Sequence, residues 1–491
     1  MKLDELIEYL KYKDLINFKN VEISGISYNS ATTKAGDIFI CLVGEHTDGH
    51  KYAVDAINHG AVALLVERPV EGVNVPQIQV LSTKLQIADI ADRFYSSPSK
   101  GINLIGVTGT NGKTTVTHLI QKIIEENSHK CALIGTLGYK LSSQSEYRNA
   151  KHTTPQAPEL QATLRMIKDI EKIDNVVMEV SSHALEQNRV GGCRFNGAIF
   201  TNLTQDHLDY HITMENYFKA KALLFQRLQE GSFAVINTDD EYGSRFLSVV
   251  PENVSKYTYG VKNNADVMAK DVQFSLNGAE FTLVYRNNSY PVNLHMNGMF
   301  SVYNVLAAIT AAVAMGIDIE IAIKALQNVH GVAGRFEVVN KKPLVIVDYA
   351  HTPDGLENVL KAAREITPEN GELICLFGCG GDRDATKRPK MGAIAQSLAD
   401  KIVITSDNPR SENPQQIITD IIAGLKSVDS ESVVVEPDRG QAISLLKNIS
   451  NNNDVVVIAG KGHEDYQILK DRTIHFDDRE EARKVFAGSV I

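Results

Sequence analysis

The stretch Gly109-Thr110-Asn111-Gly112-Lys113-Thr114-Thr115 carries the residue types that hold polyphosphate. It follows an apolar run, Ile102 to Val107, and precedes Val116 to Ile124, whose apolar residues repeat at helical spacing. Strand, glycine-rich turn, Lys-Thr and helix make a phosphate-binding loop in its proper setting. Backbone N–H groups of the turn and of the helix start can face phosphate oxygens. Lys113 supplies a point charge to the terminal phosphates, and the Thr114 hydroxyl a ligand for Mg²⁺. The loop departs from G-x-x-x-x-G-K-[ST], because Val107 stands where that pattern has its first glycine. A tight turn without a ligand is the plainer alternative, and the flanking strand and helix argue against it.

Other candidate groups stand near the loop in type, though not in sequence. Glu179, with Ser181, Ser182 and His183, follows the apolar run Val176-Val177-Met178. A carboxylate at a strand end beside a phosphate loop can reach the nucleotide's Mg²⁺, and a plain helix N-cap is an equal reading. In Asp206-His207-Leu208-Asp209-Tyr210-His211, two histidines four apart could face one way on a helix. No metalloprotease motif surrounds them, so His207 is the better ligand candidate and His211 reads as a solvated loop histidine. Lys221 sits on a helical pattern with an aromatic face, Tyr217 to Phe225, and reads as solvated charge. In the last third, Arg383, Lys387 and Arg388 follow Gly380-Gly381, Arg410 follows Asp407-Asn408-Pro409, and Lys461 follows Gly460. Guanidinium forks suit carboxylates and phosphates, so these cations suggest a substrate with more than one carboxylate. Surface salt bridges are the bland alternative.

The elements that must position these groups are short apolar runs alternating with helical patterns, which predicts an α/β chain with mainly parallel sheets. Seven such runs lead directly into polar, chemistry-bearing loops. Ligands bind outside the carboxyl ends of strands in open parallel sheets, so a cleft between domains is expected. The polar break Ser96-Ser97-Pro98-Ser99-Lys100 and the glycines Gly331 to Gly334 suggest domains at 1–98, 99–332 and 333–491. Asn263–Tyr290 alternates apolar and polar residues and predicts an antiparallel excursion within the middle domain.

Bulk properties narrow the field. A chain of 491 residues is too long for one core. A net charge of −10 argues against nucleic acid or an anionic membrane as a partner. The five cysteines are odd in number and scattered, which predicts buried free thiols in a reducing compartment. The acidic start Met1-Lys2-Leu3-Asp4-Glu5 is unlike a signal peptide, and no apolar stretch is long enough to span a bilayer. A cytoplasmic, monomeric protein acting on small molecules is expected.

Together, Gly109–Thr115, Glu179-Val180-Ser181-Ser182-His183, Asn202 to Asp209, Tyr217 and Lys221, Asn297-Gly298 with Asn304, Gly334-Arg335-Phe336-Glu337 and Asp348-Tyr349-Ala350-His351 resemble the Mur ligase family. These are ATP-dependent amide-bond-forming enzymes of peptidoglycan synthesis. The resemblance runs from about residue 105 to 464 and is strongest to the branch that adds the third peptide residue. It implies a central P-loop mononucleotide-binding parallel sheet, a C-terminal Rossmann-like domain and a small N-terminal α/β domain. It further implies ATP contacts at Gly109, Thr110, Asn111, Gly112, Lys113, Thr114, Thr115, Asn304, Arg335 and Asp348. Two Mg²⁺ ions are implied, one at Thr114 and Glu179, the other at His207 with Lys221 as a carbamate. Carbamylation makes chemical sense, since CO₂ converts a cationic amine into an anionic oxygen donor. Ser30, the loop 45–50, Thr153, Thr154, Ser181, Gln187 and Arg189 match contacts to a UDP-muramoyl dipeptide. The family's Asp-Ser-Arg in the uridine pocket is here Asn29-Ser30-Ala31.

Asp407-Asn408-Pro409-Arg410 resembles the signature of branch members that add meso-diaminopimelate rather than L-lysine. Diaminopimelate carries a distal carboxylate that lysine lacks. Arg410 and Arg383 would pair with it, with Gly460 and Glu464 holding the same end. An unpaired buried guanidinium would penalise lysine. The alternatives are an L-lysine-adding ligase of the same branch, a folylpolyglutamate synthase-like ligase, and a nucleotide switch that makes no bond. The first 98 residues argue against the second, and the arginine-bearing loops against the third.

Overall fold

The computed structural model describes residues 1–491 apart from 11–12, 45–46, 149–151, 276, 429–430 and 488–491. Part of the uridine-pocket loop, residues 45 and 46, therefore lies outside the described residues. The chain is α/β as expected, built on three principal sheets and a small hairpin. The first sheet holds the parallel strands Gly25–Ser27, Asp37–Ile40, Ala63–Val66 and Gln77–Gln79, with Asp14–Ile16 antiparallel at its edge.

The central sheet explains where the chemistry can occur. The strand Asn103–Thr108 lies between Asn175–Glu179 and Gly197–Phe200, parallel to both, with Val107 opposite Glu179 and Thr108 opposite Phe200. Parallel neighbours end on one edge of a sheet. The loops that follow, 109–112, 180–181 and 201–207, therefore emerge side by side. Cys131–Gly135, Phe233–Asn237 and Ser255–Gly260 extend the parallel core. The expected excursion is present as Val267–Ser275, Gly278–Tyr285 and Asn288–Leu294. It reaches Leu294, beyond the Tyr290 expected, because its third strand pairs along the whole second strand.

Both faces of this sheet are covered, so its strands are apolar throughout rather than alternating. On one face the helices Lys113–Glu126 and Met299–Ala314 pack against Val107, Val177 and Ile199. On the other, Ala157–Asp169 and Met214–Gln226 cover Leu104, Val176 and Phe200. Met299–Ala314 is buried on nearly every side, which its Ala-rich sequence permits by allowing close approach to Lys113–Glu126.

The third sheet repeats the device. Leu344–Asp348, Val455–Ala459, Leu373–Phe377, Lys401–Ile404 and Val433–Val435 are parallel in that spatial order, with Glu337–Lys341 antiparallel at one edge. Their outgoing loops, 349–351, 460–464, 378–383 and 405–410, also share one edge. The two loop-bearing edges meet. Asn111 Nδ2 donates to Asp354 Oδ2 at 2.7 Å, and Arg335 Nη2 to Thr114 Oγ1 at 3.2 Å. The first sheet reaches the central one through Ala88 and Ala91 of the helix Thr83–Phe94 against Ala157, small residues that let the helices touch.

Candidate active site

The meeting edges enclose a cleft of about 440 Å³ lined by Thr110–Thr115, Glu179, Asp206, His207, Lys221, Asn304, Arg335, Asp348 and His351 among others. The loop geometry follows from its glycines. Gly112 has φ +87°, and a Cβ there would stand 2.4 Å from Asn304 Oδ1. At Gly109 a Cβ would stand 1.9 Å from Thr201 Oγ1. The backbone can lie this close to its neighbours only without side chains. The loop is further pinned by Thr201 Oγ1 donating to Asn111 O at 2.6 Å and by Asn202 Oδ1 accepting from Asn111 N at 2.9 Å.

Two lysines, Lys221 buried and Lys113 half-buried, share one carbonyl. Lys113 Nζ donates to Gly109 O at 2.9 Å and Lys221 Nζ to the same oxygen at 2.8 Å. Among the described residues neither ammonium has a carboxylate partner within ion-pair distance. Burial lowers the Lys113 ammonium below its usual range, with Glu179 and Asp206 opposing. Burial and the Lys113 charge push Lys221 well below it. Lys221 is 1% exposed, over the Tyr217 ring at 4.6 Å, so its reading as solvated charge is corrected. The helical pattern gave its face but not what would be laid against that face.

Glu179 is organised by donors. Thr114 Oγ1 and Thr136 Oγ1 each donate to its Oε2 at 3.0 Å, and Thr136 N donates to Oε1 at 2.9 Å. The Thr114–Glu179 pair thus stands preformed at the start of the phosphate-loop helix. His207 lies across the cleft in a left-handed conformation, φ +55°, with Nε2 3.2 Å from Asp206 Oδ2. Burial holds its imidazole down at about 3, neutral and able to act as a ligand. His211 is corrected. It is buried against Ser182 Oγ at 2.8 Å and Glu186 at 3.1 Å, on the helix Leu208–His211. Among the described residues no three of His, Cys, Asp and Glu are grouped to hold a metal ion alone.

Asn304, Arg335 and Asp348 all line the cleft. Arg335 lies 4.3 Å over the Tyr349 ring. Asp348 accepts from Phe336 N and Ala350 N, each at 2.7 Å, and burial raises its carboxyl despite Arg335. Beside Glu179, Thr153 and Ser181 line the cleft. The Thr154 hydroxyl is already used, donating to Glu179 O at 2.9 Å and accepting from Ser181 N at 3.1 Å. Arg189 donates to Thr154 O at 3.0 Å and to Gln187 Oε1 at 2.6 Å. Ser30 is buried in a short 3₁₀ turn of the first domain, two residues from Tyr28, whose hydroxyl donates to Glu159 at 2.5 Å.

Arg410, Asn408, Gly460 and Glu464 form a second cluster beside the cleft, joined to it by the Tyr349 and His463 rings at 4.9 Å. Asn408 Nδ2 donates to Glu464 Oε2 at 2.8 Å, and Lys461 Nζ lies 3.2 Å from the same oxygen. Arg410 Nη1 donates to Gly381 O at 2.7 Å. Asp407 packs where a Gly460 side chain would be, 2.6 Å from its Cβ position. Pro409 closes the turn against Gly381. Arg383 is exposed and donates to its neighbour's carbonyl, Asp382 O, at 2.8 Å. Arg388 does not join this group. It is 2% exposed between Glu412 and Asp420, each at 2.9 Å, and is spent on structure. Sequence reasoning gave no role to Thr136, Asp354 and Gln205, and named Tyr217 only as part of a motif. Only Tyr217 and Gln205 stood inside motifs already singled out.

Comparison with known proteins agrees with this geometry. Family models match over residues 22–95 (Mur ligase family, catalytic domain), 107–312 (Mur ligase middle domain) and 334–462 (Mur ligase, glutamate ligase domain). A UDP-N-acetylmuramoyl-L-alanyl-D-glutamate–2,6-diaminopimelate ligase of Syntrophomonas wolfei is 46% identical, covering 100% of both chains. Its counterpart from Clostridium botulinum is 44% identical over 98% of each. A solved structure of an enzyme of that name superposes with TM-score 0.69 at 34% identity, covering 100% of this chain and 99% of its own. With three consecutive domain matches and full-length relatives, the chain belongs to the Mur ligase family.

Proposed function

We propose that this chain joins meso-diaminopimelate to the D-glutamyl γ-carboxylate of UDP-N-acetylmuramoyl-L-Ala-D-Glu, converting ATP to ADP and phosphate, in peptidoglycan precursor synthesis in the cytoplasm. The observation that carries the reading is the pair Lys113 and Lys221, two amines on one carbonyl that, among the described residues, have no carboxylate within ion-pair distance. Such a site awaits anions, and polyphosphate together with a substrate carboxylate supplies them. The names borne by the full-length relatives support the acceptor. Residues 1–98 would take the uridine end, 99–332 ATP, and 333–491 the amino acid, in a monomer.

Lys113 and the amides of 109–115 align the β- and γ-phosphates, while Asn304, Arg335 and Asp348 hold the nucleotide. Ser30, Thr153, Thr154, Ser181, Gln187 and Arg189 hold the UDP-muramoyl dipeptide. Thr114 and Glu179 fit one Mg²⁺, and His207 with Lys221 as a carbamate fits a second; when bound, the ions neutralise phosphate charge. The depressed, uncompensated amine of Lys221 is the form that reacts with CO₂.

A γ-carboxylate oxygen attacks the γ-phosphorus, the bond to the bridging oxygen breaks, and ADP leaves with the electron pair. The neutral amine of diaminopimelate then attacks the acyl carbon. The carbon–oxygen bond to phosphate breaks, phosphate leaves with that pair, and the nitrogen loses a proton. Alignment and charge stabilisation supply the rate, and closure of the cleft over the substrates would keep water from the acyl phosphate. Arg410 and Arg383, with Asp407, Asn408, Pro409, Gly460 and Glu464, would bind diaminopimelate. The test is product mass after incubation with the UDP-muramoyl dipeptide, Mg-ATP and either meso-diaminopimelate or L-lysine. Amide product with diaminopimelate and little with lysine is expected. ATP hydrolysis indifferent to the acceptor would overturn the reading.

A further inference from the structure

Gln205 stands beside the cleft and has no part in the mechanism above. Its amide reaches from the central domain to the first turn of the helix Lys387–Leu398 in the C-terminal domain. Nε2 donates to Asp384 Oδ2 at 3.3 Å and to Thr386 Oγ1 at 3.2 Å, while Oε1 accepts from Lys390 Nζ at 2.5 Å. Both ends of one side chain are therefore used, with donors meeting acceptors on each side. A flipped amide would set NH₂ against an ammonium and oxygen against a carboxylate. A carboxylate at 205 would meet Asp384 with like charge.

What this contact holds matters more than the contact. Asp384 Oδ1 accepts from Thr386 N at 2.9 Å and from Thr386 Oγ1 at 2.6 Å, so it orders the turn that opens the helix. Arg383 precedes it, and Lys387 follows as the first helical residue. Lys387 is 5% exposed and, among the described residues, is held by no hydrogen bond or ion pair. It lies within electrostatic reach of Asp206 and His351, both of which line the cleft. Asn111 with Asp354 and Arg335 with Thr114 make further polar bonds between the same two domains. A body fastened at several separated points has a fixed register.

We propose that Gln205 is a positioning residue that registers the loop 380–384 and the start of the helix Lys387–Leu398 against the phosphoryl-transfer cleft, and so sets where the acceptor amine stands. The catalytic consequence rests on the ligase reading above; the docking does not.

The test is a polarity swap on the full-length protein. Gln205→Ala leaves the turn unheld. Gln205→Glu and Asp384→Asn each create one mismatch. Together they restore donor to acceptor, because the new Asn keeps an oxygen for Thr386 and turns NH₂ toward the new Glu. The expected result is a kcat lowered ~10- to 100-fold in each single variant, the size that a misplacement of about an ångström produces. KM for diaminopimelate rises, KM for ATP stays nearly constant, and the double variant returns most of the loss. Small-angle scattering with Mg-ADP reads the docking without any acceptor: the single variants expand and the double variant compacts. A wild-type kcat in Gln205→Ala, or a double variant no better than the worse single one, overturns the proposal. If the ligase reading alone were wrong, amide formation would be absent from wild type while the scattering pattern persisted. If the clamp alone were wrong, that pattern would vanish while wild type still formed the amide.

Discussion

The cleft and the cluster around Arg410 are built on the same plan and balanced in opposite ways. Each is a set of loops at the carboxyl edge of a parallel sheet. In the cleft, Lys113 and Lys221 share the Gly109 carbonyl, Lys113 also reaching Thr110 O, and charge is left over. In the cluster, Lys461 is neutralised by Glu464, Asn408 bridges them, and Arg410 rests on backbone carbonyls. Unbalanced buried charge is costly and persists where a ligand supplies the balance. A self-satisfied network costs little at rest and exchanges its partners only for a ligand that reproduces them. The first arrangement suits a strong, common binder such as polyphosphate. The second suits selection among similar amino acids.

The largest effect that would break this contrast lies at Lys221. Replacement by Ala should lower turnover by on the order of 10³-fold or more, the scale for losing a transition-state charge partner. In wild type, ¹³C-bicarbonate should give a carbamate resonance that the variant lacks. Retention of most of the activity in Lys221→Ala would remove the cleft's special status.

Next in size is a change below the cluster. Arg439 and Asp478 form a fully buried pair at 2.7 Å, with Arg439 also donating to Ala459 O and Ser406 O. Arg439→Met leaves a buried carboxylate alone and should cost about 3–5 kcal/mol in denaturant melts. If the cluster is set by this support, KM for diaminopimelate rises with it while nucleotide affinity does not.

Arg410→Ala should weaken use of diaminopimelate by ~10²-fold, the penalty for stranding a charge that had a guanidinium partner, and narrow the preference over lysine. KM for ATP should be unchanged. A parallel loss of ATP affinity would mean that the two regions are one site.

The smallest effect is spread over four histidines in and near the cleft. Burial holds His118, His211 and His351 at about 4 and His207 at about 3. Unfolded histidines titrate near ~6.5, so between that pH and about 4 the unfolded chain binds more protons than the folded one. Stability from these residues is complete above the unfolded value and is lost as pH falls through that window. Melts from neutral pH downward should show the decline, and a flat profile would show these rings to be hydrated.

The same contrast explains what the sequence disclosed. The phosphate loop was legible because its strand, glycine-rich turn and helix are consecutive in sequence; the contacts with Thr201 and Asn304 that its glycines at 109 and 112 answer to were not. The order of strands within each sheet was not, since it depends on which apolar runs pair at long range. Lys221 and Arg388 look alike in sequence, each a cation amid a helical pattern. One is buried in the cleft and the other between two carboxylates, and only packing separates them. His211 was misjudged for the same reason, because the residues that bury it come from 182 and 186.

The division of labour can be read in one experiment, trapping the acyl phosphate with hydroxylamine in wild type and Arg410→Ala with the UDP-muramoyl dipeptide and Mg-ATP but no amino acid. Equal hydroxamate in both, with only wild type forming amide when diaminopimelate is added, is the predicted result. Trapping that fails in Arg410→Ala, or that needs diaminopimelate even in wild type, would contradict a cleft that activates the carboxylate independently of the cluster that selects the amine.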